Sequence, residues 1–276
     1  MDNYSILMSV YHKENPKNFD QAISSMLNQT HRTNDFVIVC DGPLTPELDA
    51  VLEKYQDSFG EIMNIVRLPE NVGIGAAANE GIKVCKNDLV AKMDSDDIAV
   101  PERCELQCRK FEADPKLTAM GGFIEEFDDD PAAPFSVREV PINNEDIRRF
   151  AKRRQPFNNQ TVMYRREAVT SIGGYSSLRR NEDYDLYVRL LHAGYYCENI
   201  PQVLVKVRVN NQARARRASW NTFVGCAQTR WKAFRIGYSS FFDFLICIVG
   251  EAFICICPGK IQHFIYQRLF RKNTKQ

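Results

Sequence analysis

A chain of 276 residues with 44% hydrophobic and 26% charged residues has the composition of an ordinary globular protein that buries one sizeable core, not of a disordered polypeptide. The net charge of +1 gives no reason to expect nucleic acid as a partner, but it conceals two opposed halves: residues 1–202 carry 23 Lys and Arg against 33 Asp and Glu, whereas residues 203–276 carry 13 against 2. A basic segment of +11 after an acidic domain of −10 points to phosphates, to an anionic membrane surface, or to docking of the tail on its own domain.

Met1 to Tyr4 leads directly into a strand-like run with no signal peptide, so the nine cysteines are expected to be reduced in a cytoplasmic setting. None has C-x-x-C spacing, and they are read as small buried or membrane-facing hydrophobes. Strands are predicted over Tyr4 to Val10, Asp35 to Cys40, Ile62 to Leu68 and Asp88 to Met93, separated by helices over Pro16 to Gln29, Pro46 to Ser58 and Gly75 to Cys85. Asn15 followed by Pro16 is a helix-start signature. This alternation predicts an α/β fold with a Rossmann-like, mostly parallel sheet covered by helices on both faces.

In such sheets ligands collect beyond the carboxyl ends of the strands. The residues there are Tyr11, then Asp41 and Gly42, then Asn71 and Gly73, then Asp94 to Asp97. A tyrosine can stack on a base and an aspartate can accept the imide N–H of uracil, although an aspartate before glycine also serves as a turn residue. The run N-V-G-I-G-A-A-A-N-E-G has the spacing of a dinucleotide fingerprint but follows the third strand rather than the first. It reads either as a helix start that lets backbone approach a donor or as close helix packing.

M-D-S-D-D, Met93 to Asp97, places three carboxylates at a strand end, a crowding of like charge that a divalent cation relieves; oxygen ligands suit Mg²⁺ or Mn²⁺. A second acidic cluster, Glu182, Asp183 and Asp185, opens an apolar-faced helix ending near Leu191. Acids complement a helix N-terminus, and an acid there can also project into a cleft as a general base. Phe241 to Cys257 is apolar and flanked by Arg230, Lys232 and Arg235 on one side and Lys260, Arg268, Arg271 and Lys272 on the other. Asp243 and Glu251 interrupt it, so a helix lying in a membrane interface is expected rather than a span, with packing on the domain as the alternative.

Taken in order, S-V-Y-x-x-E at Ser9, Q-T at Gln29, C-D-G-P-L-T at Cys40, N-x-G-x-G at Asn71, M-D-S-D-D at Met93, G-G-Y at Gly173 and E-D-Y-D-L at Glu182 resemble family 2 glycosyltransferases of the GT-A fold. Among them the chain is most similar to bacterial enzymes that build exopolysaccharide, capsule or O-antigen units, including the amylovoran type. The resemblance implies a GT-A catalytic domain over residues 1–210, with a nucleotide-binding half (1–97) and an acceptor half (98–210), followed by a helical membrane-associating segment (211–276).

It further implies Asp96 and Asp94 as ligands of Mn²⁺ or Mg²⁺, with Asp94 also touching the donor. Asp183 becomes the catalytic base and Glu182 the residue that orients the acceptor. Tyr11, Glu14, Asp41, Asn71, Gly73 and Arg208 would line the site of a UDP-linked sugar, with Arg214, Arg216 and Arg217 near a diphosphate or an anionic acceptor. The implied reaction is an inverting hexosyl transfer to an undecaprenyl-diphosphate-linked saccharide, at the cytoplasmic face of a bacterial inner membrane. Two departures stand out: N-N-Q-T at Asn158 where relatives have N-H-P-T or N-x-P-T, and V-N-N-Q after Arg208 where many carry a metal-binding histidine. Two readings from other classes compete, a metal-dependent nucleotidyl- or phosphotransfer enzyme and a non-catalytic nucleotide-sugar-binding subunit.

Overall fold

The strand and helix alternation of the N-terminal half folds into four parallel strands: β1 (Tyr4–Val10), β2 (Asp35–Cys40), β3 (Met63–Arg67) and β4 (Leu89–Asp94), in the order β3-β2-β1-β4. The computed structural model describes residues 1–178, 180–209, 220–256 and 272–273. β2 is buried along its whole length, as a parallel strand covered on both faces must be. Between the strands run α1 (Pro16–Leu27), α2 (Pro46–Phe59) and α3 (Ile74–Val84). Asn15 caps α1 by accepting from the Lys17 and Asn18 amides at 2.9 and 3.3 Å, and Pro16 takes the first helical position. Register pairs Ser9 with both Val39 and Asp94, and Cys40 with Arg67, so the loops leaving all four strands meet at one rim.

Beyond β4 the sheet becomes antiparallel, a mixed arrangement where the sequence suggested a mostly parallel one. After β5 (Ile98–Ala99) and α4 (Arg103–Ala113) come β6 (Leu117–Phe127), β7 (Ser136–Arg138), α5 (Asn144–Ala151), β8 (Met163–Arg165) and α6 (Arg166–Ser171). β8 lies between β4 and β6, antiparallel to both. α7 (Glu182–His192) leads into β9 (Tyr196–Arg208), which runs parallel to β6 and pairs its end with β5, Ile98 opposite Lys206. That pairing returns the chain to the rim at Arg208.

Two apolar cores sandwich the sheet. Tyr4, Ile6 and Met8 face α1, α2 and α4; Leu7, Val37 and Val39 face α3, α5 and α7. Cys40, Cys85, Cys104, Cys108, Cys197 and Cys226 are free and buried, and Cys247 is free and partly exposed.

Two further helices, α8 (Trp220–Arg235) and α9 (Phe241–Ile256), form a hairpin. Ala233 of α8 packs on Tyr184 and Val188 of α7, and the Arg230 guanidinium sits 3.7 Å from the centre of the Tyr184 ring. Asp243, which in the sequence interrupts an apolar run, serves as a capping residue: it exchanges hydrogen bonds with Ser240 at the start of α9 and pairs with Arg153 at 2.6 Å. The hairpin therefore docks on the domain. It still leaves Phe242, Leu245, Ile246, Val249 and Phe253 exposed along one side of α9. No helix among the described residues is long and apolar enough to cross a membrane. Arg214, Arg216, Arg217, Lys260, Arg268 and Arg271 lie outside the described residues.

Helix α3 approaches β1 and β2 closely because Gly81 has no side chain. A Cβ there would lie 2.3 Å from Leu7 Cδ1 and 2.8 Å from Val39 Cγ2, both in the buried core. Gly81→Val should destabilise the fold by about 1–3 kcal/mol through overpacking. Urea denaturation checks this, and an unchanged midpoint would mean that the helix shifts freely.

Candidate active site

The fourth strand ends in Lys92, Met93 and Asp94, and the turn that follows carries Ser95, Asp96 and Asp97. From beneath, the fully buried Arg103 of α4 donates to the Lys92 carbonyl at 2.6 Å and contacts Met93 Sδ at 3.1 Å, which fixes the direction in which the strand end points. Lys92 is the charge that sequence reasoning overlooked. Its side chain is 6% exposed, and its ammonium pairs with Asp94. Its field also favours the ionised forms of Asp97, Glu182 and Asp183. A lone lysine inside a buried strand is the signal that could have revealed it.

Asp97 is buried, and its carboxyl is held well above the usual carboxylate range, first by burial and then by Asp96 and Asp94. The Arg208 amide, donating to Asp97 Oδ1 at 2.9 Å, opposes that shift. The Arg208 side chain reaches the Asp96 carbonyl at 3.4 Å and Gln21 at 2.8 Å, and it stacks on Phe127. Arg208 is thus brought to the acidic turn from 111 residues away.

Glu14 joins the same turn: Ser95 Oγ donates to its Oε2 at 2.8 Å. Tyr11 stands at the end of β1, its ring edge-on to His12. Asp41, Asn71 and Gly73 form a second group. Asp41 accepts from Asn71 Nδ2 at 2.9 Å, Val72 N at 2.7 Å and Gly73 N at 3.1 Å, so this buried aspartate organises the loop in front of α3.

The two glycines of that loop have different reasons. Gly73 adopts φ 93°, a left-handed value that disfavours other residues. Gly75 makes room: a Cβ on it would lie 3.1 Å from Glu182 Cγ and 3.3 Å from the Ser176 carbonyl. Asn79, four residues on, clamps the G-G-Y turn by bonding both the N–H and the C=O of Tyr175 at 2.8 Å.

Glu182 and Asp183 open α7 after Asn181, which takes the left-handed φ of 56° that asparagine tolerates. Asp183 accepts from Gln155 Nε2 at 2.7 Å and from the Tyr184 amide at 2.7 Å. Gln155 carried no sequence signal, because its loop is irregular. Asp185 takes no part in this cluster: it pairs with Arg189 at 2.9 Å, whose other nitrogens brace the Ile172 and Gly174 carbonyls.

Burial raises both leading carboxyls. Glu182 is pushed up to about 7, by burial first and then by Asp183. Asp183 is also raised by burial, but the Tyr184 amide, Lys92 and Gln155 all favour its charged form. The two adjacent acids are thus both raised by burial, while the Tyr184 and Gln155 hydrogen-bond donors oppose the shift at Asp183.

The acidic turn fits a divalent cation chemically. Its ligands are hard oxygens, and their mutual repulsion is what a cation would relieve. Among the described residues no group of three His, Cys, Asp or Glu side chains is arranged to hold a metal. A Mg²⁺ or Mn²⁺ ion that takes one or two carboxylates and completes its shell with substrate phosphates requires no such group.

Because the folded protein holds the Glu182 proton up to about 7 against an ordinary 4.5, ionising it costs stability. That cost is absent below the lower value and complete above the upper one. Glu182→Gln should therefore gain stability relative to the parent as pH rises from about 5 to 8. Urea denaturation across that range is the measurement, and a pH-independent difference would remove Glu182 as the perturbed group.

A family model described as Glycosyl transferase family 2 matches residues 5–180. The amylovoran biosynthesis glycosyltransferase AmsE of Erwinia amylovora is 32% identical over 96% of this chain and 98% of its own. An Escherichia coli enzyme named UDP-Gal:alpha-D-GlcNAc-diphosphoundecaprenol beta-1,3-galactosyltransferase is 31% identical over 98% and 97%. Among solved structures, the mannosyltransferase PcManGT from Pyrobaculum calidifontis, in complex with GDP-Man and Mn²⁺, superposes with a TM-score of 0.66 at 15% identity, covering 93% of this chain and 70% of that one.

Proposed function

This chain belongs to glycosyl transferase family 2 and has the GT-A fold, and from that premise we propose that it moves a hexose from a UDP-sugar, of the UDP-Glc or UDP-Gal type, to a saccharide carried on undecaprenyl diphosphate in bacterial surface polysaccharide synthesis. The observation that carries the reading is the convergence of two carboxylate clusters, Asp94 to Asp97 and Glu182 with Asp183, on the buried ammonium of Lys92, which pairs with Asp94 and favours the ionised forms of Asp97, Glu182 and Asp183. The donor class and the acceptor class follow the name of the Escherichia coli relative, and the biosynthetic setting follows AmsE.

In this reading Asp183 is the general base. Three neighbours favour its charged form, the form in which a carboxylate can take the acceptor hydroxyl's proton. Glu182 orients that hydroxyl. Attack in line with the departing nucleoside diphosphate inverts the anomeric carbon, so an α-linked donor gives a β-linked product. Asp94 and Asp96 would hold Mn²⁺ or Mg²⁺, which when bound stabilises the charge developing on the departing diphosphate. Asp41, Asn71 and Gly73 shape the loop beside the nucleotide, while Tyr11, Glu14 and Arg208 complete the donor rim. The exposed apolar side of α9 and the basic C-terminal charge support attachment to the cytoplasmic face of the inner membrane.

Asp183→Asn should lower kcat by about two orders of magnitude or more with donor affinity nearly unchanged, since Asn keeps the shape and loses the basicity. Initial rates beside calorimetric UDP titration separate the two effects; loss of UDP binding with the rate retained would move Asp183 into the donor site. EDTA should abolish transfer and Mn²⁺ or Mg²⁺ restore it, and full activity after exhaustive chelation would refute the metal assignment.

Phe242→Asp combined with Val249→Asp should release the protein from anionic vesicles in sedimentation. Undiminished binding would take the membrane role away from α9.

A further inference from the structure

A cavity of about 500 Å³ lies away from the acidic turn, between the G-G-Y turn, α7 and α8. None of Tyr11, Glu14, Asp41, Asn71, Gly73, Asp94, Asp96 or Arg208 lines it. It adjoins the candidate base pair, because Ser176, which lines it, and Glu182 both crowd the same point beside Gly75. On α7, Glu182, Asp185 and Arg189 recur at helical spacing and share one face, so the cavity continues along the helix from the acceptor-orienting carboxylate.

Its lining is polar in a particular way. Asp185 is buried, and its charge is taken up by Arg189 at 2.9 Å. Arg189 is in turn held by the Ile172 and Gly174 carbonyls, so it frames the cavity rather than leaving it. Lys232 stands 3.9 Å from Asp185 with its side chain half exposed, and Arg235 is exposed one helical turn further on. Three cationic residues thus line the cavity with one carboxylate that is already paired. The Ser176 hydroxyl oxygen is buried and has no hydrogen-bond partner among the described residues. A surplus of cationic donors next to an unpartnered hydroxyl suits an anion with several oxygens, and the volume exceeds the needs of a single inorganic ion.

We propose that this cavity is the subsite for the diphosphate ester of the acceptor, with Lys232 and Arg235 as its principal contacts while the acceptor sugar's hydroxyl lies at Glu182 and Asp183. Seven helical residues separate Glu182 from Arg189, about 10 Å along the axis, a span that a hexose with its diphosphate bridges. The identity of the ligand rests on the transfer reading above; the presence of an anion subsite does not.

The test titrates octyl diphosphate and inorganic phosphate in EDTA, and UDP with Mg²⁺ present, separately into the full chain by calorimetry, for the parent, K232Q/R235Q and K232R/R235K. Thermal melts check that each variant is folded. The double Gln variant should bind octyl diphosphate about tenfold or more weaker and UDP within about twofold of the parent, and the charge-conserving variant should match the parent. In assays with a lipid-diphosphate saccharide, the double Gln variant should raise the acceptor KM and leave kcat near its parent value.

Unchanged octyl diphosphate affinity overturns the proposal. So does an equal loss for UDP, which would assign the two cations to the donor, and so does inorganic phosphate binding as tightly as octyl diphosphate, which would mark a generic anion site. If the parent transfers no sugar yet binds octyl diphosphate through Lys232 and Arg235, the transfer reading fails and the subsite stands. If the parent transfers sugar with an acceptor KM indifferent to both residues, the transfer reading stands and the subsite falls.

Discussion

The central constraint in this molecule is the crowding of carboxylates around one buried ammonium. Asp94, Asp96 and Asp97 leave β4 together, Glu182 and Asp183 arrive from α7, and Lys92 is the cation whose field reaches both groups. Like charges this close are unfavourable without compensation. The fold answers with Lys92, with the Arg208 amide on Asp97, and with Gln155 and the Tyr184 amide on Asp183. What remains uncompensated appears as carboxyls held above their ordinary range at Asp97, Glu182 and Asp183.

The topology exists in a form that makes this convergence possible. Parallel pairing of β1 with β2 and β4 brings four loops to one rim, and β9 returns along β6 to pair with β5, delivering Arg208 to the turn that follows β4. Two small contacts then set the gap between the loop in front of α3 and the start of α7. Gly75 allows α3 to approach Glu182, and Asn79 fastens α3 to the turn before α7. The two acidic motifs are therefore linked through close packing of α3 on the turn before α7.

The C-terminal hairpin serves two ends at once. Its inner side docks through Arg230 over Tyr184, Ala233 against Val188, and the Asp243–Arg153 pair. Its outer side keeps a row of exposed aromatic and aliphatic residues on α9. Packing on the domain and contact with a lipid surface, opposed alternatives in the sequence, are compatible in three dimensions because they use different faces of the same two helices.

The sequence by itself determined the local elements. β1 and β2 have the predicted bounds, and the other predicted strands and helices end within one or two residues of where apolar period, Asn15 and Pro16 place them, since these signals act over a few residues. It also delivered the two acidic motifs, as clusters of like charge at a strand end and a helix start. Only the tertiary structure decided which acids meet. It sent Asp185 to Arg189, one helical turn on, and left Glu182 and Asp183 in the cluster, because the partners that neutralise each acid come from different parts of the fold. Lys92 reaches Glu182 and Asp183, and Gln155 reaches Asp183, only across the fold, and the antiparallel pairing of β4 with β8 joins residues more than 70 apart in the chain. Such contacts are set by register and packing across the whole core, information that no local window of the sequence contains.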